Sequence, residues 1–403
     1  MINKIIKSSP YIYLLLAVLI LPLKVLGATY LHYIFLFLII ILLFPQSGNA
    51  IRKRHNIYVW IFIFFVVWFT TLTFLVSQIK FTTILESSLI YFLSPLFWIL
   101  YFTKYSDYDF LSFLKFSIYI AFALSIFGFI QFYFSKTIFG LIPNNEYFDI
   151  DFTSSQFVSS GSTFRIRSIL PSSQIFALFT SLSFCLSTIV FKNNKTRFYL
   201  ISIPILFASL LSGQRIVILV IILFFVSKFV LQSKNNLRSI FLIILPIFLI
   251  LLALRIIDLI STDMGMASTR LMDIFNNFSY IIDYEQNARW SKWISLIKET
   301  NPLIGNGIGH TNQFINGTRI VTSESYIIQL YYEGGILLVG SFILLLFNSI
   351  QKTLIKKLSS TYLPIIISLF ISLLSVHSFM NPIFIVYWGI LIYPLSINRS
   401  KNF

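Results

Sequence analysis

The fold of this chain is decided around residues 301–340, which read NPLIGNGIGHTNQFINGTRIVTSESYIIQLYYEGGILLVG. Glycines alternate with other residues over 305–309, in a loop that precedes a continuously apolar stretch. That stretch predicts a helix, and a spacing of four residues places Ser325, Gln329 and Glu333 on one face of it. A carboxylate in hydrocarbon is costly unless it faces protein or water, so this polar stripe predicts a functional site.

The composition of the chain excludes a soluble globular domain. Of the 403 residues, 57% are hydrophobic, 18% aromatic and only 11% charged, whereas soluble domains carry about 25% charged residues. Apolar runs long enough to cross ~30 Å of hydrocarbon recur along the whole length. They are continuous rather than alternating, which excludes a transmembrane barrel. The sequence predicts one all-α polytopic membrane domain spanning residues 1–403.

The apolar runs predict about twelve transmembrane helices. Their predicted bounds are 11–27, 29–44, 57–76, 83–102, 110–134, 171–191, 198–211, 215–231, 240–260, 324–347, 361–377 and 382–397. Most connections between them are tight. Two are long, 135–170 and 261–323. Long loops in compact folds are usually either functional or disordered, and we expect these two to be ordered because they contain aromatic and apolar residues such as Phe157, Phe164 and Trp293.

The excess of basic residues indicates orientation in the membrane rather than nucleic acid binding. The formal net charge is +16, from 30 lysines and arginines against 14 acidic residues. Basic residues near the ends of spans mark the cytoplasmic side. The basic clusters fall on one side if both termini are cytoplasmic; they include Lys4, Lys7, Lys104, Lys192, Lys195, Arg197, Lys228, Lys352 and Lys356. Both long loops then lie on the external, periplasmic side.

Arginines on the external side need an explanation, because that side is normally poor in basic residues. Arg165 and Arg167 lie in the first long loop, Arg215 opens a span, and Arg289 begins a predicted interfacial helix over 287–300. The guanidinium fork binds two phosphate oxygens at once and stays charged. These residues are therefore candidates for binding an anionic substrate, the alternative being ion pairs with loop acids or lipid headgroups.

The glycine loop and its histidine are further candidates. Gly307 and Gly309 allow close backbone approach and positive φ, so their N–H groups are candidates to face an anion; a plain turn is the alternative. His310 is a candidate general base, or a group that orients an acceptor hydroxyl, against the alternative of a solvated loop histidine. The pair Asp149 and Asp151 is only a weak candidate for a divalent cation, so no metal site and no cofactor is predicted.

Two glutamates belong to the helix that follows this loop. Glu324 is expected in the first turn after a Ser323 cap, where it suits the helix dipole and is placed to act as a base or to bind a sugar hydroxyl. Glu333 lies about two turns deeper. Its expected structural partner is an arginine from another helix.

Residues 301–340 resemble the bacterial O-antigen polymerase and O-antigen ligase superfamily. The resemblance is carried by Asn301, Pro302, Leu303, Gly305, Gly307, Gly309, the pair Glu324-Ser325, Tyr326 and the run Glu333, Gly334, Gly335, Ile336. Arg289, Trp290 and the segments 164–174 (FRIRSILPSSQ) and 212–215 (SGQR) fit the same family. Ligases of this superfamily typically open the helix with His-Asn; the Glu-Ser of this chain is more similar to the polymerases.

The resemblance implies a GT-C-like membrane glycosyltransferase of the bacterial inner membrane, with its site facing the periplasm. Its donor and acceptor are undecaprenyl-pyrophosphate-linked oligosaccharides, and a chain-length regulator is an expected partner besides membrane lipids. By resemblance, the pyrophosphate and substrate are bound by Arg165, Arg167, Arg215, Arg289, Gly307, Gly309, Tyr326 and Glu333. The resemblance also implies that Arg289 takes part in catalysis, that Glu324 or His310 acts as the base, and that no metal is needed.

Two alternatives stay open from the sequence. One is an O-antigen ligase that transfers the polysaccharide to lipid A core. The other is a flippase or secondary transporter for lipid-linked oligosaccharides. The uneven long loops, the lack of a detectable two-half repeat and the clustering of ionisable residues at one face all disfavour a transporter.

Overall fold

The structure is a computed structural model of the chain. It describes residues 2–20, 23, 30–54, 57–77, 79–105, 107–134, 166, 168–170, 172–212, 214, 216–232, 288–312, 314–315, 318–319, 325–356, 358, 362–375 and 381–396. The predicted span 240–260 and most of the two long loops lie outside these residues.

The described part is built from α-helices with one very short hairpin. The helices are α1 (Ile2–Val18), α2 (Leu31–Arg54), α3 (Ile57–Val76), α4 (Phe81–Lys104), α5 (Asp107–Phe134), α6 (Ser173–Val190), α7 (Lys195–Leu211), α8 (Ile216–Gln232), α9 (Ala288–Glu299), α10 (Tyr326–Ile355), α11 (Leu363–Ser375) and α12 (Ile385–Ser396). Strands β1 (Phe314–Ile315) and β2 (Thr318–Arg319) pair antiparallel in the loop before α10.

The helical membrane class is confirmed. In the described part, five helices are long and apolar enough to cross a membrane: Ile57–Val76, Phe81–Lys104, Asp109–Gln131, Ser173–Val190 and Tyr326–Ile355. Four shorter apolar helices accompany them, at Leu31–Phe44, Ile216–Leu231, Leu363–Leu374 and Pro382–Ser396. A helix was also predicted at 287–300 and is found as α9, with Leu296 buried and Lys292, Ser295 and Lys298 exposed.

Several helix ends differ from the predicted bounds, although α3 matches its prediction of 57–76. The first helix begins at Ile2 rather than at residue 11, and α2 continues to Arg54 rather than ending at 44. Hydropathy marks where hydrocarbon begins and ends, whereas backbone hydrogen bonding continues into the interface.

Contacts between helix ends agree with the prediction that successive helices cross the membrane in alternating directions. Lys7 Nζ lies 2.9 Å from Asp109 Oδ1, and Lys104 Nζ donates to Asn3 Oδ1 at 2.8 Å. The start of α1, the end of α4 and the start of α5 therefore meet at one end of the bundle. Lys7 and Lys104, which the sequence predicts on one side of the membrane, thus lie at the same end of the bundle.

The helix α10 runs through an aromatic core shared with α3, α4 and α12. The ring of Phe342 lies 5.6 Å from Phe62 and 5.9 Å from Trp388. Trp98 is buried and donates its Nε1–H to the Ile385 carbonyl at 2.7 Å. This packing holds α10 within the bundle, so a loop that is hydrogen-bonded to α10 is held against the same bundle.

Candidate functional site

The candidate site is a loop–helix unit in which residues 301–311 dock onto an interrupted α10. Gly335 has φ 62° and ψ −160°, which breaks the helix one residue after Gly334. Ile336 N–H therefore donates to the Pro302 carbonyl at 2.9 Å instead of to its own helix. The loop thus supplies backbone hydrogen bonding that the helix has lost at the break.

Two carbonyls of α10 at the break are satisfied in the same way. The Tyr332 carbonyl accepts from Asn306 N–H at 2.8 Å, and the Glu333 carbonyl accepts from Gly307 N–H at 3.0 Å. Backbone groups in hydrocarbon must find partners inside the protein, and interrupted helices are tolerated where neighbours supply them. The loop and the helix are therefore one hydrogen-bonded structure.

The backbones of the loop and of α10 come closest at the glycines. A Cβ on Gly305 would lie 2.5 Å from the carbonyl carbon of Glu333, and one on Gly335 would collide with the Leu303 carbonyl. Gly305, Gly307 and Gly309 have φ of 68°, 107° and 96°. The predicted close approach and positive φ are confirmed, and the partner backbone is α10 itself.

The loop is also held by the helices α3 and α4. Ile308 N–H donates to Thr73 Oγ1 at 2.9 Å, and Thr73 Oγ1 donates in turn to the Phe69 carbonyl at 2.7 Å. A Cβ on Gly309 would lie 3.3 Å from Ile84 Cα in the first turn of α4. The glycine loop therefore joins three helices at one end of the bundle.

Glu333 is completely buried, and its carboxylate accepts only from hydroxyl and backbone donors in the described part. Tyr91 Oη donates to Oε2 at 2.6 Å. Gly309 N–H and Thr311 N–H each donate to Oε1 at 3.3 Å, and Thr311 Oγ1 donates to the same oxygen. The external arginine side chains lie outside the described residues, so the expected arginine partner stays a prediction. In the described part, neutral donors on both oxygens compensate the lost hydration.

The predicted polar stripe of Ser325, Gln329 and Glu333 is confirmed, and all three are buried. Gln329 Nε2 donates to Thr311 Oγ1 at 2.8 Å. Ser325 Oγ accepts from Ile328 N–H at 3.3 Å and caps α10, so the predicted Ser323 cap is wrong by two residues. Gln329 and Glu333 therefore face the docked loop, whereas Ser325 Oγ donates to the Leu373 carbonyl of α11 at 3.4 Å.

Four residues expected to bind substrate or pyrophosphate have internal partners. The N–H groups of Gly307 and Gly309 both donate to Glu333, to its carbonyl and its carboxylate respectively. Tyr326 is buried, with its ring 5.2 Å from Phe342. With Glu333, these residues form the interior of the loop–helix unit. The loop amides face the protein because α10 offers acceptors where its helix is broken.

His310 lies at the edge of this unit, in a 3-10 turn over His310–Asn312. Its side chain is half-buried, and its ring centroid lies 6.4 Å from that of Tyr332 in an edge-on arrangement. Burial lowers the pKa of His310 below its ordinary value of 6.5, because removing water disfavours the charged imidazolium. At neutral pH the ring is therefore uncharged and able to accept a proton.

The remaining predicted site residues lie outside the described part. They are Arg165, Arg167, Arg215, Glu324, Asp149 and Asp151, together with the side chain of Arg289, whose backbone lies in the first turn of α9. Within the described residues, no group of three histidine, cysteine, aspartate or glutamate side chains is arranged to hold a metal ion.

Chain segments next to those arginines are tied to helix ends. Ser168 N–H donates to Gln131 Oε1 on α5 at 2.9 Å, one residue after Arg167. Gln214 Nε2 donates to Ser173 Oγ in the first turn of α6 at 2.9 Å, one residue before Arg215. The neighbours of Arg167 and Arg215 are therefore anchored to the ends of α5 and α6.

Sequence reasoning missed the partners of the loop–helix unit. Tyr91 and Thr73 lie in long apolar runs where nothing marks them as special, and Thr311 is one polar residue among several. A signal for the break did exist in Glu333-Gly334-Gly335, because adjacent glycines in an apolar helix mark a point where its hydrogen bonding is easily interrupted.

Changing Tyr91 to phenylalanine tests the burial of Glu333. The substitution removes a 2.6 Å hydrogen bond to a buried carboxylate, so we expect a loss of about 1.5–3 kcal/mol in the free energy of unfolding. Tyr101→Phe on the same helix is the matched control, because Tyr101 Oη donates to the neutral Lys7 carbonyl at 3.2 Å. Chemical unfolding in detergent measures both; an equal loss for the two variants contradicts the prediction.

Comparison with models of known protein families finds no match to this chain, and comparison with curated proteins finds no significant match. Function is therefore inferred from the residues of the chain and their arrangement.

Proposed function

We propose that this protein polymerises undecaprenyl-pyrophosphate-linked oligosaccharide repeat units at the periplasmic face of the bacterial inner membrane. The observation that carries this proposal is the loop–helix unit. The segment with the family resemblance is bonded to a membrane helix and holds a half-buried, neutral histidine at one end of the bundle. Such a position suits a lipid-linked substrate, whose pyrophosphate lies at the interface while its polyprenyl chain stays in hydrocarbon.

In the proposed reaction the growing chain is the donor and a new repeat unit is the acceptor. His310 accepts the proton of the acceptor hydroxyl as its oxygen bonds to the anomeric carbon of the donor. The bond between that carbon and the pyrophosphate oxygen breaks, and undecaprenyl pyrophosphate leaves with the electron pair. Arg165, Arg167, Arg215 and Arg289 neutralise this leaving group. Glu324 binds a hydroxyl of the acceptor sugar.

The proposal includes the finer topology expected from the sequence. Both termini are cytoplasmic, about twelve spans cross the membrane, and the loops 135–170 and 261–323 lie in the periplasm. The meeting of Lys7, Lys104 and Asp109 at one end of the bundle supports this arrangement. The loop–helix unit joins the last residues of α3 to the first turns of α4 and α10, at the opposite ends of these helices.

One observation favours a transporter as the alternative function, since α10 is interrupted beside a buried carboxylate. Transporters use interrupted helices to bind ions with the carbonyls that the break leaves free. Here the Tyr332 and Glu333 carbonyls already accept from Asn306 and Gly307. The break is therefore filled by protein, and this disfavours an ion site at the interruption.

The proposal is tested by the surface polysaccharide of cells that lack this gene and carry wild type, Arg289→Ala or Arg197→Ala. We expect Arg289→Ala to leave lipid A core capped by a single repeat unit. Arg197 is the control, since it is exposed in α7 among the basic residues placed on the opposite side, and its variant should restore the full ladder. Lipid A core without any repeat unit, together with long lipid-linked chains, would identify the protein as a ligase instead. Single lipid-linked units that face the cytoplasm would identify it as a flippase.

The pH dependence of polymerisation follows from the lowered pKa of His310. Only the neutral imidazole accepts a proton, so kcat/KM should fall as the pH drops through that pKa, with the acid limb below pH 6.5. Purified protein with labelled lipid-linked repeat units provides the measurement. An acid limb above pH 6.5, or one that persists in His310→Gln, would show that another group is the base.

A further inference from the structure

We propose that Glu333 is a positioning residue for His310. Glu333 holds the residues on both sides of the histidine and so fixes the orientation of the His310 side chain, an arrangement that we call the clamp. The effect of the clamp on catalysis rests on the proposed function, whereas the clamp itself can be measured without it. Glu333 touches neither substrate nor the reacting atoms, because it is completely buried.

The clamp is formed by one carboxylate oxygen. Glu333 Oε1 accepts from Gly309 N–H and from Thr311 N–H, each at 3.3 Å, and from Thr311 Oγ1. Residues 309 and 311 are the two neighbours of His310. With both neighbours bonded to the same atom, the backbone at His310 keeps one orientation and its side chain is held at the edge of the unit, beside Tyr332.

The clamp is itself fixed by rigid helices. Tyr91 on α4 donates to the other carboxylate oxygen at 2.6 Å. Gln329 on α10 donates to Thr311 Oγ1 at 2.8 Å, which directs the hydroxyl proton towards Glu333. Catalytic groups need to be held closely to a productive geometry by residues whose own positions are locked. Both helices meet that requirement.

The seating of the loop does not depend on this carboxylate. Loop residues before Gly309 are held by backbone bonds from Asn306 and Gly307 to α10, by the bond from Ile336 to Pro302, and by Thr73 bound to Ile308. The Glu333 side chain bonds only to residues 309 and 311 in the loop. Its contacts therefore serve the segment that contains the histidine rather than the whole loop.

The test compares three variants of the full-length protein with a control. Glu333→Leu removes the clamp, and Glu333→Gln keeps an acceptor oxygen at the position of Oε1. Thr311→Val removes one hydroxyl and serves should the leucine variant fail to fold. Ser349→Ala is the control; its hydroxyl donates to the Leu391 carbonyl at 2.8 Å, which is a buried bond of the same helix far from the loop.

Three readouts are taken on purified protein: kcat and KM for lipid-linked repeat units, hydrogen exchange of the amides at 309 and 311, and the rate at which diethyl pyrocarbonate modifies His310. For Glu333→Leu we expect kcat to fall about 100-fold with KM little changed, since small misplacements of a catalytic group cost that much. The exchange rates of the amides at 309 and 311 and the rate at which His310 is modified should each change by about tenfold or more. Thr311→Val should shift all three in the same direction but less, while Glu333→Gln and Ser349→Ala stay near wild type.

Unchanged exchange and modification in both Glu333→Leu and Thr311→Val overturns the proposal. Equal loss of kcat in Glu333→Gln and Glu333→Leu also overturns it, because glutamine preserves the clamp. If wild-type protein does not polymerise the repeat units, the proposed function fails alone, and the exchange and modification rates still decide whether Glu333 positions His310.

Discussion

Gly335→Ala should abolish polymerisation and lower the free energy of unfolding by about 3 kcal/mol or more, from overpacking and positive φ together. A Cβ at this position collides with the carbonyl of Leu303, and the backbone φ of 62° is one that alanine rarely adopts. The collision involves backbone on both sides, so it cannot be relieved by a rotamer change. The loop would have to leave α10, which would expose the groups that Pro302, Asn306 and Gly307 satisfy.

Gly340→Ala is the matched control, because Gly340 lies in the same helix with nothing within 4 Å of its added Cβ. There the exchange should be neutral or stabilising by about 0.5–1 kcal/mol, the ordinary gain of alanine over glycine in a helix. Thermal and chemical unfolding in detergent, with the polysaccharide ladder, measures both variants. Equal behaviour of the two would show that the loop does not need the break in α10.

His310→Ala should lower kcat by about 10²- to 10⁴-fold, the contribution expected of general base catalysis. Stability should change little, since the side chain is only half-buried and lies at the edge of the loop–helix unit. Turnover of labelled lipid-linked repeat units measures the effect. Added imidazole should restore part of the activity, because it supplies the missing base in the space left by the side chain.

The same experiment separates the two candidate bases. Glu324→Ala removes a group expected to bind the acceptor sugar, so KM should rise more than kcat falls. If instead Glu324→Ala loses the larger part of kcat and imidazole fails to rescue His310→Ala, then Glu324 is the base and the role assigned to His310 is wrong.

Part of the candidate site was predictable from the sequence. The four-residue spacing of Ser325, Gln329 and Glu333 placed them on one face because helix periodicity is a local property. Alternating glycines predicted positive φ and a close backbone approach for the same reason. What approaches these glycines was not predictable, since glycine spacing describes only its own segment. The loop amides were candidates to face a bound anion; Gly307 N–H donates to the Glu333 carbonyl of α10 and Gly309 N–H to the Glu333 carboxylate.

Hydropathy determined the helical membrane class and the position of α3 to within a residue, because a chain in hydrocarbon must bury its own backbone hydrogen bonds whatever its neighbours are. Only the tertiary structure decided how the charge of Glu333 is accommodated. Its partner Tyr91 lies 242 residues away in sequence, and Thr311 lies 22 away. A buried carboxylate needs donors, yet any donor that the fold brings close will serve. The packing of the helices therefore decides which donors reach Glu333. Through those donors it also decides the orientation of the His310 side chain.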